Sequence, residues 1–191
     1  MNSRVVFLDR DGVINREGGD YVDRPEDLDI LPGALEAIAG LNRAGWAVII
    51  YTNQSGVGRG MMTVGTLQSI HEHLRCLAAE HGGEITAIYA CIHAPDAGCD
   101  CRKPRPGMLL QAAREHGLDL ASAYAVGDSP RDIAAGQAAG CRTVLVLTGH
   151  TKDYPAPDFP DPQPQHIFDS LAAFASWLLA QPVPTPAPAP D

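Results

Sequence analysis

The segment Val5–Val13 constrains the fold of this chain more than any other part of it. The segment opens with an uninterrupted apolar run, Val5–Leu8, and continues into Asp9, Asp11 and Gly12. Such a run predicts a strand that is covered on both faces, as in a parallel sheet. If the backbone stays extended through Asp11, the two carboxylates leave it on the same side. Because ligands of open α/β sheets bind beyond the carboxyl ends of the strands, these acids are predicted to lie at a binding site.

Two neighbouring carboxylates repel each other unless a cation lies between them or one of them takes up a proton. Mg²⁺ is a hard cation that prefers oxygen ligands, so Asp9 and Asp11 are candidates to hold it. One carboxylate could then attack phosphorus while the other carries a proton. The alternative is that both acids only cap a turn between a strand and a helix. The rest of the chain favours the chemical interpretation.

Apolar runs alternate with segments of helical periodicity along the whole chain. Strands are predicted at 5–8, 46–51, 85–91, 123–126, 143–147 and 166–168. This alternation is typical of an α/β fold with a doubly wound, Rossmann-like parallel sheet. We expect one domain over residues 1–180, followed by a flexible proline-rich tail at 181–191. The glycine-rich stretch after the second strand is expected to be a loop.

The composition of the chain argues against some classes of binding partner. The chain has 191 residues and a formal net charge of −9, which argues against nonspecific binding to nucleic acid or to an anionic membrane. No basic segment followed by an apolar one opens the chain, and no apolar run is long enough to span a membrane. We therefore expect a cytoplasmic monomer that acts on a small molecule.

Polar groups follow several predicted strand ends in a characteristic order. Asp9 and Asp11 come first, then Thr52–Asn53, then Arg102–Lys103 ahead of a proline, and finally Asp128 after a glycine. Together these segments resemble the four signature motifs of the haloacid dehalogenase (HAD) superfamily of phosphatases, over roughly the first three-quarters of the chain. About forty residues separate the first motif from the second, and about fifty separate the second from the third. Neither interval leaves room for a large cap domain.

The chemistry of these residues agrees with the resemblance. Asp9 would attack phosphorus and form an aspartyl-phosphate, and Asp11 would act as general acid and then as general base. Thr52 would bind phosphoryl oxygens, and the Lys103 ammonium would bind them and keep Asp9 ionised. The resemblance implies that Mg²⁺ is held by the side chains of Asp9 and Asp128 with the backbone carbonyl of Asp11.

Other residues near these motifs are candidates to contact the substrate. Asn53 belongs to the second motif, and Arg59 and Arg102 could bind a second anionic group or sugar hydroxyls. For Arg59 the alternative is an ordinary surface arginine. Ser129 could touch the phosphate or could only cap a helix, and Asp132 could support the metal through water or could lie in a favourable first helical turn.

A second cluster of possible metal ligands lies within residues 91–101. Three thiols and one imidazole match a closed tetrahedral zinc site with a structural role, and the residues are Cys91, His93, Cys99 and Cys101. The spacing differs from that of common zinc fingers, so nucleic-acid binding does not follow from it. Cys76 and Cys141 lie apart from this group and are expected to be buried thiols.

This zinc loop narrows the resemblance to one group within the HAD superfamily. Together with the early Phe7–Gly12 segment and Thr52–Gly56, it is similar to the group of D-glycero-D-manno-heptose 1,7-bisphosphate 7-phosphatases and histidinol phosphatases. The resemblance implies a Mg²⁺-dependent phosphoric monoester hydrolase with a structural zinc, which removes the 7-phosphate of a heptose bisphosphate in lipopolysaccharide synthesis. Histidinol-phosphate phosphatase is the enzymatic alternative. A zinc-stabilised binding protein without turnover is the alternative of another class. The pocket is expected to be built from loops 15–21 and 56–60 and the zinc loop.

Overall fold

The computed structural model describes residues 4–18, 22–156 and 158–181. Its centre is a sheet of six parallel strands in the order β3-β2-β1-β4-β5-β6. The strands are β1 (Val5–Leu8), β2 (Ala47–Asn53), β3 (Ala87–Cys91), β4 (Tyr124–Gly127), β5 (Arg142–Val146) and β6 (His166–Phe168). The strand order reverses direction at β1, and the crevice at such a reversal is where doubly wound sheets bind ligands.

Helices cover both faces of the sheet. They are α1 (Ala34–Arg43), α2 (Ser55–Gly58), α3 (Val64–Glu80), α4 (Gly107–His116), α5 (Pro130–Ala139) and α6 (Leu171–Leu179), with 3₁₀ turns at Pro25–Asp27 and Leu120–Ser122. Local signals account for several helix starts. Thr63 caps α3 by accepting a hydrogen bond from the Thr66 N–H at 3.0 Å, and Pro130 occupies the first turn of α5, where a missing N–H costs nothing.

The strand β1 shows why the sheet needs two layers of helices. All four of its residues have no exposed surface, and successive side chains enter different cores. Val6 and Leu8 join the core formed with α1, α3 and α6, whereas Val5 and Phe7 join the core formed with α4. This arrangement confirms the predicted doubly wound α/β fold, and no large cap domain interrupts the described residues.

The structure corrects the prediction at three places around the site. β1 ends at Leu8, so Asp11 is not part of an extended strand and instead forms an isolated bridge with Asn15. β2 extends through Asn53, and the segment after it contains one helical turn, α2, rather than only loop. Cys76 is exposed, although Cys141 is buried as expected.

Two further expectations concern the ends of the fold. Residues 182–191 lie outside the described part of the chain, so the flexible tail stays a prediction. Among the described residues, none of the helices has the length and apolar character needed to cross a membrane.

Candidate active site

A cavity of about 350 Å³ opens at the carboxyl edge of the sheet, beside β1, β2 and β4. Its wall contains nearly all the residues predicted for the site, because parallel strands end at the same edge. The lining residues are Asp9, Arg10, Asp11, Glu17, Gly18, Val22, Thr52, Asn53, Gln54, Ser55, Arg59, Arg102, Lys103, Asp128, Ser129 and Arg131. None of residues 91–101 is among them, and the zinc-loop residues Pro95, Gly98 and Cys99 line an adjoining cavity instead. Arg102, Lys103 and Arg131 line both cavities, so the zinc loop borders the site.

Lys103 connects two carboxylates at the floor of the cavity. Its ammonium lies 2.7 Å from Asp9 Oδ2 and 2.5 Å from Asp132 Oδ1, and it donates to the Tyr51 carbonyl at 3.2 Å. Burial alone would lower the pKa of Lys103, but the carboxylates of Asp132 and Asp9 outweigh burial and raise it. Lys103 is therefore a permanent positive charge beside Asp9.

Three carboxylates, those of Asp9, Asp128 and Asp132, have oxygens within 4.8 Å of one another. Burial, together with the charge of Asp132, raises the pKa of Asp9 to about 7 despite Lys103. Burial, Asp132 and Asp9 together raise the pKa of Asp128 to about 8. One ammonium does not neutralise three buried acids, and oxygen ligands at this spacing fit a hard divalent cation.

Asp11 has a different environment from Asp9. Its Oδ1 accepts from Arg10 Nη2 at 2.8 Å and from Asn15 Nδ2 at 2.9 Å, and its Oδ2 accepts from Gln54 Nε2 at 2.8 Å. Burial alone would raise the pKa of Asp11, but the guanidinium of Arg10 and these hydrogen bonds lower it. Arg10, Asn15 and Gln54 are 1%, 0% and 2% exposed. Sequence reasoning missed all three, although a charged residue between two acids of a buried motif was a usable signal.

The end of β2 joins the second and third motifs. The Asn53 side chain donates to the Lys103 carbonyl at 3.2 Å and accepts from the Lys103 N–H at 3.1 Å. Asn53 thereby fixes the backbone that carries the ammonium, and its predicted contact with substrate stays a prediction. Thr52 Oγ1 accepts from Gln54 Nε2 at 2.9 Å, which leaves the Thr52 hydroxyl hydrogen available to a ligand.

The loop after β5 supports Asp128, a role that the sequence analysis did not predict. Asp128 Oδ2 accepts from the His150 N–H at 2.5 Å, and the Asp128 carbonyl accepts from the Thr151 N–H at 3.0 Å. A Cβ atom at Gly12 or at Gly149 would overlap with the Asp128 carboxylate. These two glycines allow the first and fourth motifs to approach closely, which explains glycine at both positions.

Ser129 and Asp132 form the start of α5. Asp132 Oδ2 accepts from the Ser129 N–H at 3.1 Å and from its hydroxyl at 2.5 Å. The side chain of Ser129 therefore faces both the cavity and the helix, and Asp132 is fully buried between Ser129 and Lys103. Both residues take the helix-end role that was one of the two predicted alternatives, and Asp132 additionally fixes Lys103.

Three arginines of the cavity wall, Arg59, Arg102 and Arg131, have no carboxylate partner among the described residues. Arg102 Nη1 is buried and makes no hydrogen bond to any described residue. A buried guanidinium nitrogen without an acceptor is costly, and an anion in the cavity would supply one. The wall is thus locally basic in a chain of net charge −9.

The four predicted zinc ligands come together beside this wall. Their ligand atoms lie within 4.8 Å of one another, with Cys91 Sγ 3.6 Å from Cys99 Sγ and 3.7 Å from His93 Nδ1. Zn–S bonds of about 2.3 Å in a tetrahedral site place sulfurs about 3.7 Å apart. Burial, followed by the neighbouring thiols Cys91 and Cys99, raises the pKa of Cys101 to about 12. The donor set and its spacing fit a tetrahedral zinc ion.

Comparison with known proteins agrees with this geometry. A family model described as HAD-hydrolase-like matches residues 100–174. The D-glycero-beta-D-manno-heptose-1,7-bisphosphate 7-phosphatase of Pseudomonas aeruginosa is 47% identical over 94% of this chain and 99% of that protein. The protein of the same name from Bordetella bronchiseptica is 43% identical over 93% and 99%.

Solved structures give the same result. The crystal structure of D,D-heptose 1,7-bisphosphate phosphatase from B. bronchiseptica, complexed with magnesium and phosphate, superposes with a TM-score of 0.88 at 44% identity, covering 92% of this chain and 98% of that one. The enzyme from Burkholderia thailandensis superposes with a TM-score of 0.70 at 39% identity, covering 93% and 99%. Since the similarity extends over nearly the whole length of each relative, this chain belongs to the HAD superfamily of hydrolases and, within it, to the family of heptose-1,7-bisphosphate 7-phosphatases.

Proposed function

We propose that this chain hydrolyses the 7-phosphate of D-glycero-D-manno-heptose 1,7-bisphosphate through an aspartyl-phosphate intermediate. The observation that carries the proposal is the Asp9–Lys103 pair beside Asp128, at the floor of a basic-walled cavity, in a chain 47% identical to a phosphatase of that name. The relatives reported above are named for heptose bisphosphate, which favours this substrate over histidinol phosphate. The fitted catalytic groups argue against a binding protein without turnover.

Asp9 is the nucleophile of the proposed reaction. Its two oxygens are oriented by the Arg10 N–H at 2.7 Å and by Lys103 Nζ at 2.7 Å. The carboxylate forms a bond to phosphorus as the bond from phosphorus to the sugar oxygen breaks. Lys103 opposes the effect of burial on the pKa of Asp9 and binds the phosphoryl oxygens, and Asp132 and Asn53 hold Lys103 in place.

Asp11 carries the proton in both half-reactions. As an acid it protonates the departing sugar oxygen, and as a base it then takes a proton from the water that attacks the aspartyl-phosphate. Over the full cycle Asp11 gives up one proton and takes one back, and the lowered pKa of its carboxyl group favours the step in which it protonates the sugar oxygen. The Thr52 hydroxyl donates to a phosphoryl oxygen during both steps, since its own oxygen is already oriented by Gln54.

Mg²⁺ fits the carboxylate cluster, and we propose that Asp9 and Asp128 bind it through their side chains and Asp11 through its backbone carbonyl. The bound ion supplies positive charge that stabilises the phosphoryl oxygens as negative charge spreads over them. His150 and Gly149 keep the Asp128 carboxylate at the position that such a ligand needs.

The arginines of the wall are suited to a substrate that carries two phosphates. We propose that Arg59 and Arg102 bind the phosphate that is not hydrolysed, and that Ser129 contacts the transferred group. The buried Nη1 of Arg102 lacks an acceptor among the described residues, which supports a role in anion binding. Because relatives are named for the beta anomer, we propose that this anomer is preferred.

We further propose that Cys91, His93, Cys99 and Cys101 bind one structural zinc. A closed set of four ligands leaves no position for substrate. The ion would rigidify the loop that ends immediately before Arg102 and Lys103, and so would preserve the geometry of the cavity. Action as a monomer and a cytoplasmic location remain predictions.

The test is phosphate release in the presence of Mg²⁺ from the beta and alpha anomers of heptose bisphosphate and from histidinol phosphate. We expect the highest kcat/KM for the beta heptose bisphosphate and retention of the 1-phosphate in the product by ³¹P NMR. A preference for histidinol phosphate would overturn the substrate while keeping the chemistry. Loss of the 1-phosphate instead would overturn the proposed position of attack.

A further inference from the structure

Gln54 is the residue that connects the proton-transfer group with the phosphate-binding group. It follows β2, is 2% exposed, and its backbone N–H donates to the Cys91 carbonyl at 2.7 Å. Its backbone is therefore fixed to the end of β3, where the zinc loop begins. A buried side chain with a fixed backbone has little freedom, so its amide can orient its neighbours.

The amide nitrogen of Gln54 donates two hydrogen bonds. One goes to Asp11 Oδ2 at 2.8 Å and the other to Thr52 Oγ1 at 2.9 Å. A primary amide has two N–H hydrogens, so these two bonds use its full capacity as a donor. No other described side chain bonds both Asp11 and Thr52.

The other donors to Asp11 come from its own neighbourhood in the chain. Arg10 is the preceding residue and Asn15 lies four residues later, within the turn that follows β1. These two bonds fix Asp11 relative to its own loop only. Gln54, 43 residues away, is the donor that fixes Asp11 relative to β2 and its threonine.

We propose that Gln54 is a positioning residue of the phosphatase reaction, holding the Asp11 carboxylate and the Thr52 hydroxyl in fixed register. This inference rests on the proposed function, because it concerns how Asp11 and Thr52 are held during the proposed reaction. It assigns Gln54 no contact with substrate and no proton of its own. The Asp11 proton goes to the sugar oxygen as the P–O bond breaks, and a proton from water returns to Asp11 as water displaces Asp9. Both transfers need Asp11 aligned with a phosphoryl group that Thr52 holds, and a displacement of about 1 Å can cost about 100-fold in rate.

The first variant is Gln54→Met, which keeps the length of the side chain and removes both donors. With heptose bisphosphate we expect kcat to fall about 10- to 100-fold while KM changes less than about 3-fold. The matched control is Gln111→Met on the exposed face of α4, where the side-chain amide of Gln111 donates to Glu115. That control should keep wild-type constants.

Single turnovers of p-nitrophenyl phosphate separate the two half-reactions. Nitrophenolate leaves without needing a proton, so in Gln54→Met its release depends only on the contact of Thr52 with the phosphoryl group and should slow by less than about 3-fold. Phosphate release requires Asp11 to activate water and should slow by about 10-fold or more. A purely structural defect would slow both steps together.

Several results would overturn the inference. They are wild-type phosphate release in Gln54→Met, equal slowing of both half-reactions, or a large rise in KM at unchanged kcat, which would mean that Gln54 contacts the substrate. If Gln54→Met does not fold, Gln54→Glu serves instead, since its carboxylate repels Asp11, and wild-type rates there would overturn the inference equally. Failure of the proposed substrate is seen separately, as wild-type activity on the nitrophenyl ester without activity on heptose bisphosphate.

Discussion

Two groups of side chains in this protein fit a metal ion, and they differ in how far apart their residues lie in the chain. Cys91, His93, Cys99 and Cys101 belong to one loop of eleven residues. Asp9 follows β1, Asp128 follows β4 and Asp132 lies in the first turn of α5, so only the folded sheet brings the three carboxylates together. The Asp9 N–H donates to the Val126 carbonyl at 2.9 Å, and so extends the pairing of β1 with β4 up to the site.

We expect the Cys/His group to need a bound metal to be ordered, whereas the fold holds the carboxylate group in place without one. A segment of eleven residues forms almost no apolar core of its own, so a metal bound at the proposed zinc site would supply the order that packing does not. The carboxylates lie at the ends of buried strands and at the start of α5, and burial, followed by the charges of the neighbouring acids, raises the pKa of Asp9 and of Asp128. Removing a zinc ligand should therefore loosen structure, whereas removing a carboxylate should remove chemistry.

The largest effect is expected from Asp9→Asn. It removes the proposed nucleophile, so turnover should fall by about 10⁴-fold or more, as for other residues that attack the substrate. The thermal unfolding midpoint should not fall, because Lys103 keeps its ion pair with Asp132. The variant also removes one negative charge from a buried group of three carboxylates. Steady-state kinetics and calorimetry measure both. A variant with substantial turnover would show that another group attacks phosphorus, and a large loss of stability would contradict the comparison.

A smaller loss is expected from Cys99→Ser. Zinc content should fall from about one per chain toward zero, and kcat/KM should fall about 10- to 100-fold because the loop no longer fixes Arg102 and Lys103. Atomic emission and kinetics on the same samples give both values. Cys76→Ser is the matched control, since that thiol is exposed and lies outside the loop. Full activity in a zinc-free Cys99→Ser protein would show that the loop does not support the site.

Gly149→Ala tests the carboxylate group without touching a charge. The new Cβ atom would overlap with the Asp128 carboxylate and displace it. We expect the apparent affinity for Mg²⁺ to fall about 10-fold while zinc content stays unchanged. Magnesium titration by calorimetry provides the measurement. Gly65→Ala in α3 is the control, because its Cβ would meet only ordinary contacts, and equal magnesium affinity in both variants would rule out positioning by this loop.

The smallest effect concerns pH and His71, which faces the carboxylate side from α3. Burial, followed by the charge of Arg10, lowers the pKa of His71 to about 4, and its buried Nε2 has no hydrogen-bond partner among the described residues. The unfolded chain takes up a proton near pH 6.5, while the folded chain resists it until about pH 4. Stability should therefore fall as the pH drops from 6.5 to 4, by roughly 1–3 kcal/mol from this group.

The test for His71 compares the pH dependence of stability between the wild-type protein and a variant. Denaturant unfolding of wild type and His71→Gln across pH 4–7 should show a shallower loss of stability in the variant. His81→Gln, at an exposed position, should follow wild type. Parallel curves for wild type and His71→Gln would mean that the ring is protonated as readily in the folded protein as in the unfolded chain.

Part of the site could be predicted from local patterns in the sequence. The apolar run Val5–Leu8 predicted a strand buried on both faces, and the structure confirms it with no exposed surface on any of the four residues. The cysteine and histidine spacing in 91–101 predicted the second cluster, because all its ligands lie on one loop. The four motifs predicted Asp9, Lys103 and Asp128 as neighbours, since parallel strands end at one edge.

Other features depend on contacts between distant segments, and no local pattern contains them. Gln54 bonds Asp11 across 43 residues, and Asn53 bonds the backbone of Lys103 across 50. The zinc-loop residues Pro95, Gly98 and Cys99 line a cavity beside the carboxylates, and Arg102 and Lys103, which follow the loop, line both that cavity and the site.

The sequence alone determined which reactive residue types follow which strand. These residue types in turn indicate the class of reaction. Periodicity and local spacing encode these features because they depend on a few consecutive residues. Only the tertiary structure decided that Gly149 leaves room for Asp128 and that Asp132 shares Lys103 with Asp9. Such contacts join residues far apart in the chain, and their geometry exists only once the sheet has formed.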